Sequence, residues 1–342
     1  MNTTFLLVQK EEVHLCYENE NTSCVKLFRP SGVKSALYFI FFLGTLLTIV
    51  GNLAVVVSVA HFRVLHSPPN VLILSLAVAD FLLGLLVLPF SSVRSVETCW
   101  YFGDYVCKLH TCVDSVLCLV AIFHLCFISI DRYYAICDPL LYTTKVTIPS
   151  VCIYIFSGWI LSIVYTSFWI YSHVLEENMQ WLMSAEYCMG SCDLIYNKIW
   201  AWINFPLFFI PCFLTIGLYL KVYFVAQRQS RMIEATRDLA GFSPQTRASK
   251  RERKAAKTLG IAVGLYLLCS LPFMTDSLID PFIGYVTPPL LFDILFWLPY
   301  YNSACNPFIY GFFYPWFRKA LKHIFTCKIF YSGSSSINLY QQ

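Results

Sequence analysis

Apolar and polar positions alternate along this chain on a long scale. Seven stretches of about twenty or more mostly apolar residues recur, at roughly 35–60, 70–93, 105–136, 147–171, 198–226, 256–280 and 288–312. Each is long enough to cross a bilayer as a helix. The pattern predicts an all-α membrane protein. A seven-transmembrane helix bundle occupies 35–312, behind an extracellular tail at 1–34, and 313–342 forms a short amphipathic helix and a cytoplasmic tail. Between the first two spans, Ser67-Pro68-Pro69 breaks the helix. After the last span, Pro315-Trp316-Phe317-Arg318-Lys319-Ala320-Leu321 starts at a proline and alternates aromatic with basic residues, which suits a helix lying in the membrane interface among lipids. Cys327 beyond it is a candidate for acylation. The first 34 residues carry charges but no apolar core, so no cleavable leader is expected.

Composition sharpens this reading. The chain is 58% hydrophobic and 13% charged, where a soluble globular chain runs at about 25% charged. With the amino terminus outside, 17 of the 24 Lys and Arg fall in cytoplasmic segments and inner helix ends, and 7 fall outside, as the positive-inside rule requires. The net charge of +4 therefore reports topology, and no nucleic-acid partner is expected. Two glycosylation sequons, at Asn2 and Asn21, lie on the side assigned to the outside. The second outer loop, near 172–197, is an acidic lid carrying Glu176, Glu177, Glu186 and Asp193. The longest inner loop, about 227–255, holds eight basic residues against three acids, which suits either ordinary topology bias or a surface for a cytoplasmic protein. Of fifteen cysteines, Cys16, Cys24, Cys99, Cys107, Cys188 and Cys192 lie outside. An even number in an oxidising compartment suggests three bridges, and fifteen pairings are open.

Polar groups within the spans carry the chemistry. Asp114 is a carboxylate in the middle of span three. A charge at membrane depth costs about 2.5–3.5 kcal/mol on insertion scales, so it marks function. Arg132 follows eighteen residues later, five helical turns on the same face, roughly 27 Å away. One charge thus lies near the outer mouth and the other near the inner rim, the layout of a device that takes a cation outside and reports inside. Tyr300 is placed to donate to Asp114 across the bundle. Cys118, Phe273, Met274, Ser277, Phe296 and Trp297 are the expected neighbours of a ligand there. An ammonium would gain a charge-assisted bond to Asp114 and cation–π contact with the rings. Asp80 in span two is the second buried acid, with Asn52, Asn302, Ser303 and Asn306 as its natural partners beside the kink at Pro307. Asp131-Arg132-Tyr133 closes span three, and Glu252 at the foot of span six is expected to pair with Arg132 in the inactive state.

These residues, together with Gly51-Asn52, Leu76-Ala77-Val78-Ala79-Asp80, Cys107, Trp159, Pro211, Tyr219, Pro272 and Asn306-Pro307-Phe308-Ile309-Tyr310, resemble class A (rhodopsin-like) G-protein-coupled receptors, one motif in each span. Asp114 with Tyr300 resembles the amine-binding subset. The run from Asn302 to Phe317, with Cys16-Tyr17-Glu18-Asn19 and Ser95-Val96-Glu97-Thr98-Cys99-Trp100-Tyr101-Phe102-Gly103, looks like the trace amine-associated receptors. The resemblance implies a plasma-membrane, olfactory-type receptor for small cationic amines, placed in olfactory cilia. It implies coupling to a stimulatory G protein that raises cyclic AMP, with no cofactor and no enzymatic activity. It also implies the bridges Cys107–Cys192, Cys16–Cys188 and Cys24–Cys99. Asp80, Asp131, Arg132, Tyr219, Glu252, Asn302, Asn306 and Tyr310 become the activation switch, and Asp193, Ile203 and Asn204 further ligand contacts.

The chain departs from the pattern in places. Ser270 and Tyr266 stand where amine receptors carry Trp and Phe in span six. Ala121 replaces the span-three serine of the sodium site, leaving Asp80 as a weak sodium candidate. Ile203, Asn204 and Leu207 offer no serine pair to hold a catechol, and there is no second acid in span five. For a diamine, Asp193, Asp276 or Asp280 would have to hold the far ammonium. The alternatives are a neurotransmitter-type receptor for a serotonin-like amine and, further off, an amine transporter. Seven spans without inverted-repeat symmetry argue against a transporter.

Overall fold

The computed structural model describes residues 14–20, 22–180, 188–192, 198–237, 244–284 and 286–340. Within its helices, the side chains of 172–180, 198–201, 203–204, 230, 233–237, 244–257 and 259 fall outside that description. Helices dominate. Span one is α1 (Ser31–His61). Span two is α2 (Pro68–Leu86), continued outward by α3 (Leu88–Glu97). Span three is α4 (Gly103–Cys137), followed by the short cytoplasmic α5 (Pro139–Lys145). Spans four to seven are α6 (Ile148–Gln180), α7 (Lys198–Arg237), α8 (Pro244–Ile283) and α9 (Pro289–Phe313). The interfacial helix is α10 (Pro315–Phe325). Among the described residues, β-structure is limited to two isolated bridges.

Six of these helices are long and apolar enough to cross a membrane by composition alone. The 25-residue α9 is long enough, but Asp293, Asn302, Ser303 and Asn306 dilute its apolar character. Asn302, Ser303 and Asn306 are buried within the bundle, and Asp293 pairs with Arg29 of the outer tail.

Proline sets the element boundaries. Pro68 and Pro69 open α2, where a missing N–H costs nothing. Pro89 interrupts span two at Val87 and re-aims its outer half. Pro206 and Pro211 lie inside α7, Pro272 and Pro281 inside α8, Pro299 and Pro307 inside α9. Each removes a backbone bond and bends its helix. Span three is the axis of the bundle, packing against spans two, four, five and six. Small residues allow close approach at two crossings. A Cβ on Gly51 would lie 2.8 Å from Pro307 Cγ, and one on Gly260 would overlap the Tyr219 phenol.

α10 forms where the sequence predicts a helix. Trp316, Phe317 and Ala320 are buried. Arg318 Nη1 donates to the carbonyls of Gly311 and Phe312, both at 3.0 Å, closing the end of span seven.

The outer surface corrects two of the expected bridges. Cys107 is joined to Cys192, but Cys16 pairs with Cys99 and Cys24 with Cys188, not Cys16–Cys188 and Cys24–Cys99. The reason is strand register. Cys16 N–H donates to Cys24 O at 2.9 Å in a small antiparallel turn, bridged at Leu15 and Val25. Its second arm runs parallel to the outer loop through the Ser23–Met189 bridge, and Cys24 N–H donates to Met189 O at 3.0 Å. That register sets Cys24 beside Cys188 with Cα atoms 4.8 Å apart, leaving Cys16 for Cys99. The tail is fastened further by Lys34 and Lys26 on Glu97, at 2.6 and 3.3 Å, and by Arg29 on Asp293 at 2.8 Å. Asn2 and Asn21 lie outside the described residues.

Candidate functional site

A cavity of about 130 Å³ opens beside Asp114. Its lining is drawn from five spans: Asp114 and Cys118 from span three, Thr166 and Trp169 from span four, Phe205 and Phe208 from span five, Phe273, Met274 and Ser277 from span six, and Phe296 from span seven. The carboxylate is held in place. Tyr300 Oη donates to Asp114 Oδ2 at 2.8 Å, and Cys118 Sγ lies 3.5 Å from Oδ1 on the donor side. Tyr300 is fixed in turn by edge-to-face packing on Phe296 and Trp297, with centroids 5.0 and 5.4 Å away. Phe296 also meets Phe273 edge-on at 5.4 Å. An anionic group set among ring faces and edges in an apolar recess is suited to a compact organic cation.

Among the expected ligand contacts, Asp114, Cys118, Phe273, Met274, Ser277 and Phe296 come together around the cavity, and Tyr300 reaches it through Asp114. Trp297 is not among the residues that line the cavity. It is 5% exposed, stacks on Phe41 of span one at 3.8 Å and donates from Nε1 to Ser95 Oγ at 2.9 Å. A flat partner and a hydroxyl acceptor on spans one and two turn it away from the ligand side. Asp193 and the side chains of Ile203 and Asn204 lie outside the described residues. Asp276 and Asp280 do not line the cavity. Both accept from the Thr287 hydroxyl, at 2.8 and 3.0 Å.

The span-four wall was not legible in the sequence. Thr166 is fully buried, and its hydroxyl lacks a hydrogen-bond partner. An unsatisfied buried hydroxyl costs about 1–3 kcal/mol, so a ligand group that bonds it gains accordingly. A second missed residue, Arg94, sits above the cavity. Its guanidinium lies 4.5 Å over the Phe296 ring, and Nη1 donates to the Cys192 carbonyl at 3.3 Å. Arg94 thereby couples the Cys107–Cys192 bridge to the roof of the site.

Deeper in the bundle, Asn306 Nδ2 donates to Asp80 Oδ2 at 2.8 Å. Asn52 Nδ2 donates to Thr48 O and Ser303 O, at 3.0 and 3.1 Å. Asn302 is buried alongside, and its Oδ1, like that of Asn52, is without a hydrogen-bond partner. Ser270 and Tyr266 are buried in span six, Tyr266 in the same apolar core as Phe208 and Cys212.

At the inner rim, Arg132 Nε donates to Asp131 Oδ2 at 2.7 Å, and Nη2 contacts the same oxygen. Tyr142 of α5 donates to Asp131 Oδ1 at 3.1 Å. Burial and the facing carboxylate push the Tyr142 phenol up to about 12, so it remains a donor at any physiological pH. Glu252, the expected partner of Arg132, lies outside the described side chains. A larger cavity of about 600 Å³ opens here, with Arg132, Thr258, Asn306 and Tyr310 among its lining. Tyr219 stands at the neighbouring crossing of spans five and six, against Gly260.

Residues 51–310 match the family described as 7 transmembrane receptor (rhodopsin family). The chain is 53% identical over 327 residues to trace amine-associated receptor 5 of Mus musculus, covering 95% of each. It is 50% identical over 342 residues to trace amine-associated receptor 5 of Homo sapiens, covering 98% of this chain and 99% of the relative. It is also 50% identical over 341 residues to trace amine-associated receptor 7e of Mus musculus, covering 98% and 95%.

Proposed function

This chain belongs to the trace amine-associated receptors of the rhodopsin family, and from that premise we propose that it is an olfactory-type receptor for small cationic amines that acts through a stimulatory G protein to raise cyclic AMP. As a member of the family it is a multi-pass membrane receptor that signals through G proteins and not an enzyme. The ligand class, the identity of the G protein and a location in olfactory cilia are the proposed part.

The observation that carries the ligand reading is Asp114, an acid at a cavity whose other walls are largely aromatic and aliphatic. Tyr300 orients it without neutralising it. The cavity volume favours a compact ligand, and the hydroxyls of Thr166 and Ser277 offer a second polar contact. The mechanism is a population shift. An ammonium binds Asp114 more tightly when spans five, six and seven close at the top. The coupled motion frees Arg132, swings span six outward at its cytoplasmic end and admits the G protein beside Tyr219 and Tyr310.

At about 4 Å and an effective dielectric of about 20, an ion pair is worth about 4 kcal/mol, close to a thousandfold in affinity. Asp114→Asn should therefore reduce amine-evoked cyclic AMP potency by about a thousandfold at unchanged surface expression. Full potency in that variant would remove Asp114 from the ligand site.

A further inference from the structure

The cytoplasmic cavity has a wall that the mechanism above does not use. After α10 the chain turns back under the bundle, through Cys327 and Gly333, both at positive φ. Ser334 is 6% exposed. Its Oγ donates to the Ile329 carbonyl at 2.7 Å and lies 2.9 Å from His61 Nε2 at the end of span one. Leu339 is 1% exposed and belongs to the same apolar core as Phe62, Leu65, Ile73 and Trp316. Leu339 and Tyr340 line the 600 Å³ cavity with Arg132, Asn306 and Tyr310. Tyr314 lines the same cavity.

We propose that the chain's own carboxyl-terminal segment, Ser334–Tyr340, docks on the rim of the cytoplasmic cavity as part of its wall, and that a G protein must displace this segment to engage. The pieces are complementary. The segment presents one leucine to an apolar floor built by spans one and two and α10. It is anchored by Ser334 five residues earlier, and it reaches the rim where Arg132 must become available. A leucine that moves from water into such a floor favours the seated state by about tenfold or more, enough to hold down signalling in the absence of ligand. The arrangement is local: five residues lie between Ser334 and Tyr340, so release needs no rearrangement of the spans. The proposal rests on the reading that the G protein engages this cavity.

The test uses the full-length receptor in lipid nanodiscs with a purified stimulatory heterotrimer. Hydrogen exchange over 329–340 reports whether the segment is seated, and nucleotide exchange without ligand reports basal activity. The wild-type segment should be protected alone and lose protection when the G protein binds. Leu339→Asp, and a chain ending at Ser336, should raise basal exchange about tenfold. Leu339→Met should match wild type. Free exchange of the wild-type segment would overturn the proposal, as would basal exchange unchanged in both Leu339→Asp and the shortened chain. A receptor that drives no nucleotide exchange in any variant, with any amine, would instead overturn the functional reading. The protection data would still decide whether the segment is seated.

Discussion

Gly51→Ala tests how tightly the signalling core is assembled. In an isolated helix this change is favourable by about 1 kcal/mol, because alanine restricts the unfolded chain and glycine does not. Here the added Cβ would sit 2.8 Å from Pro307 Cγ and 2.9 Å from Pro307 Cβ. The nearer contact is about 0.6 Å short of the 3.4 Å where ordinary van der Waals contact begins. The obstacle is a proline ring and cannot rotate away, so spans one and seven must separate. The adjacent Asn52 holds Ser303 O at 3.1 Å, and a shift of that size takes the bond past hydrogen-bond range. Overpacking costs about 1–3 kcal/mol and the lost bond about 1 kcal/mol. Together they exceed the propensity gain, leaving a net loss of about 1–3 kcal/mol. Thermal unfolding of purified receptor should show Gly51→Ala several degrees below wild type. A single variant as stable as wild type would refute the packing argument.

The remaining predictions concern the two ends of the ligand path. Thr166→Val removes an unsatisfied hydroxyl at constant shape. It should leave the cyclic AMP potency of simple alkylamines unchanged while lowering that of a hydroxylated amine about tenfold, and equal effects on both would exclude Thr166 as a polar contact. At the outer surface, Glu97 is held below the usual carboxylate range chiefly by its hydrogen bond from Lys34. A depressed folded-state pKa contributes stability above the unfolded value, and that contribution is lost as pH falls through the folded one. The thermal midpoint of wild type should therefore fall more steeply with acidification than that of Glu97→Gln, and parallel curves would show that this clamp contributes nothing.

The spans were legible because lipid demands about twenty mostly apolar residues per crossing; six helices meet that demand by composition, and α9 is long enough despite its polar residues. Asp114, Tyr300, Asp80 and Asn306 were legible for the complementary reason: an ionisable or amide group in oil must find a partner, and these find one another. What remained hidden depends on rotation and register. Trp297 sits one turn of helix from Tyr301 and next to Phe296 in sequence, and nothing in that spacing says that Phe41 and Ser95 will claim its two faces. Thr166 and Trp169 belong to a span with no buried charge to mark its inner face. The bridges of Cys16 and Cys24 follow from a bridge between Ser23 and Met189, residues with no pairing signature. The closing segment, polar and rich in serine, reads as a solvated tail. Its single buried leucine becomes visible only once the apolar core it joins has been assembled.

The most direct measurement is the position of the ligand nitrogen in an agonist-bound complex with the G protein. The account predicts that the ammonium lies about 3 Å from an Asp114 carboxylate oxygen, the span of a charge-assisted hydrogen bond, with Phe273 and Phe296 against its carbon atoms. An agonist whose nitrogen instead rests on Asp276 and Asp280, with no contact to Asp114, would contradict it.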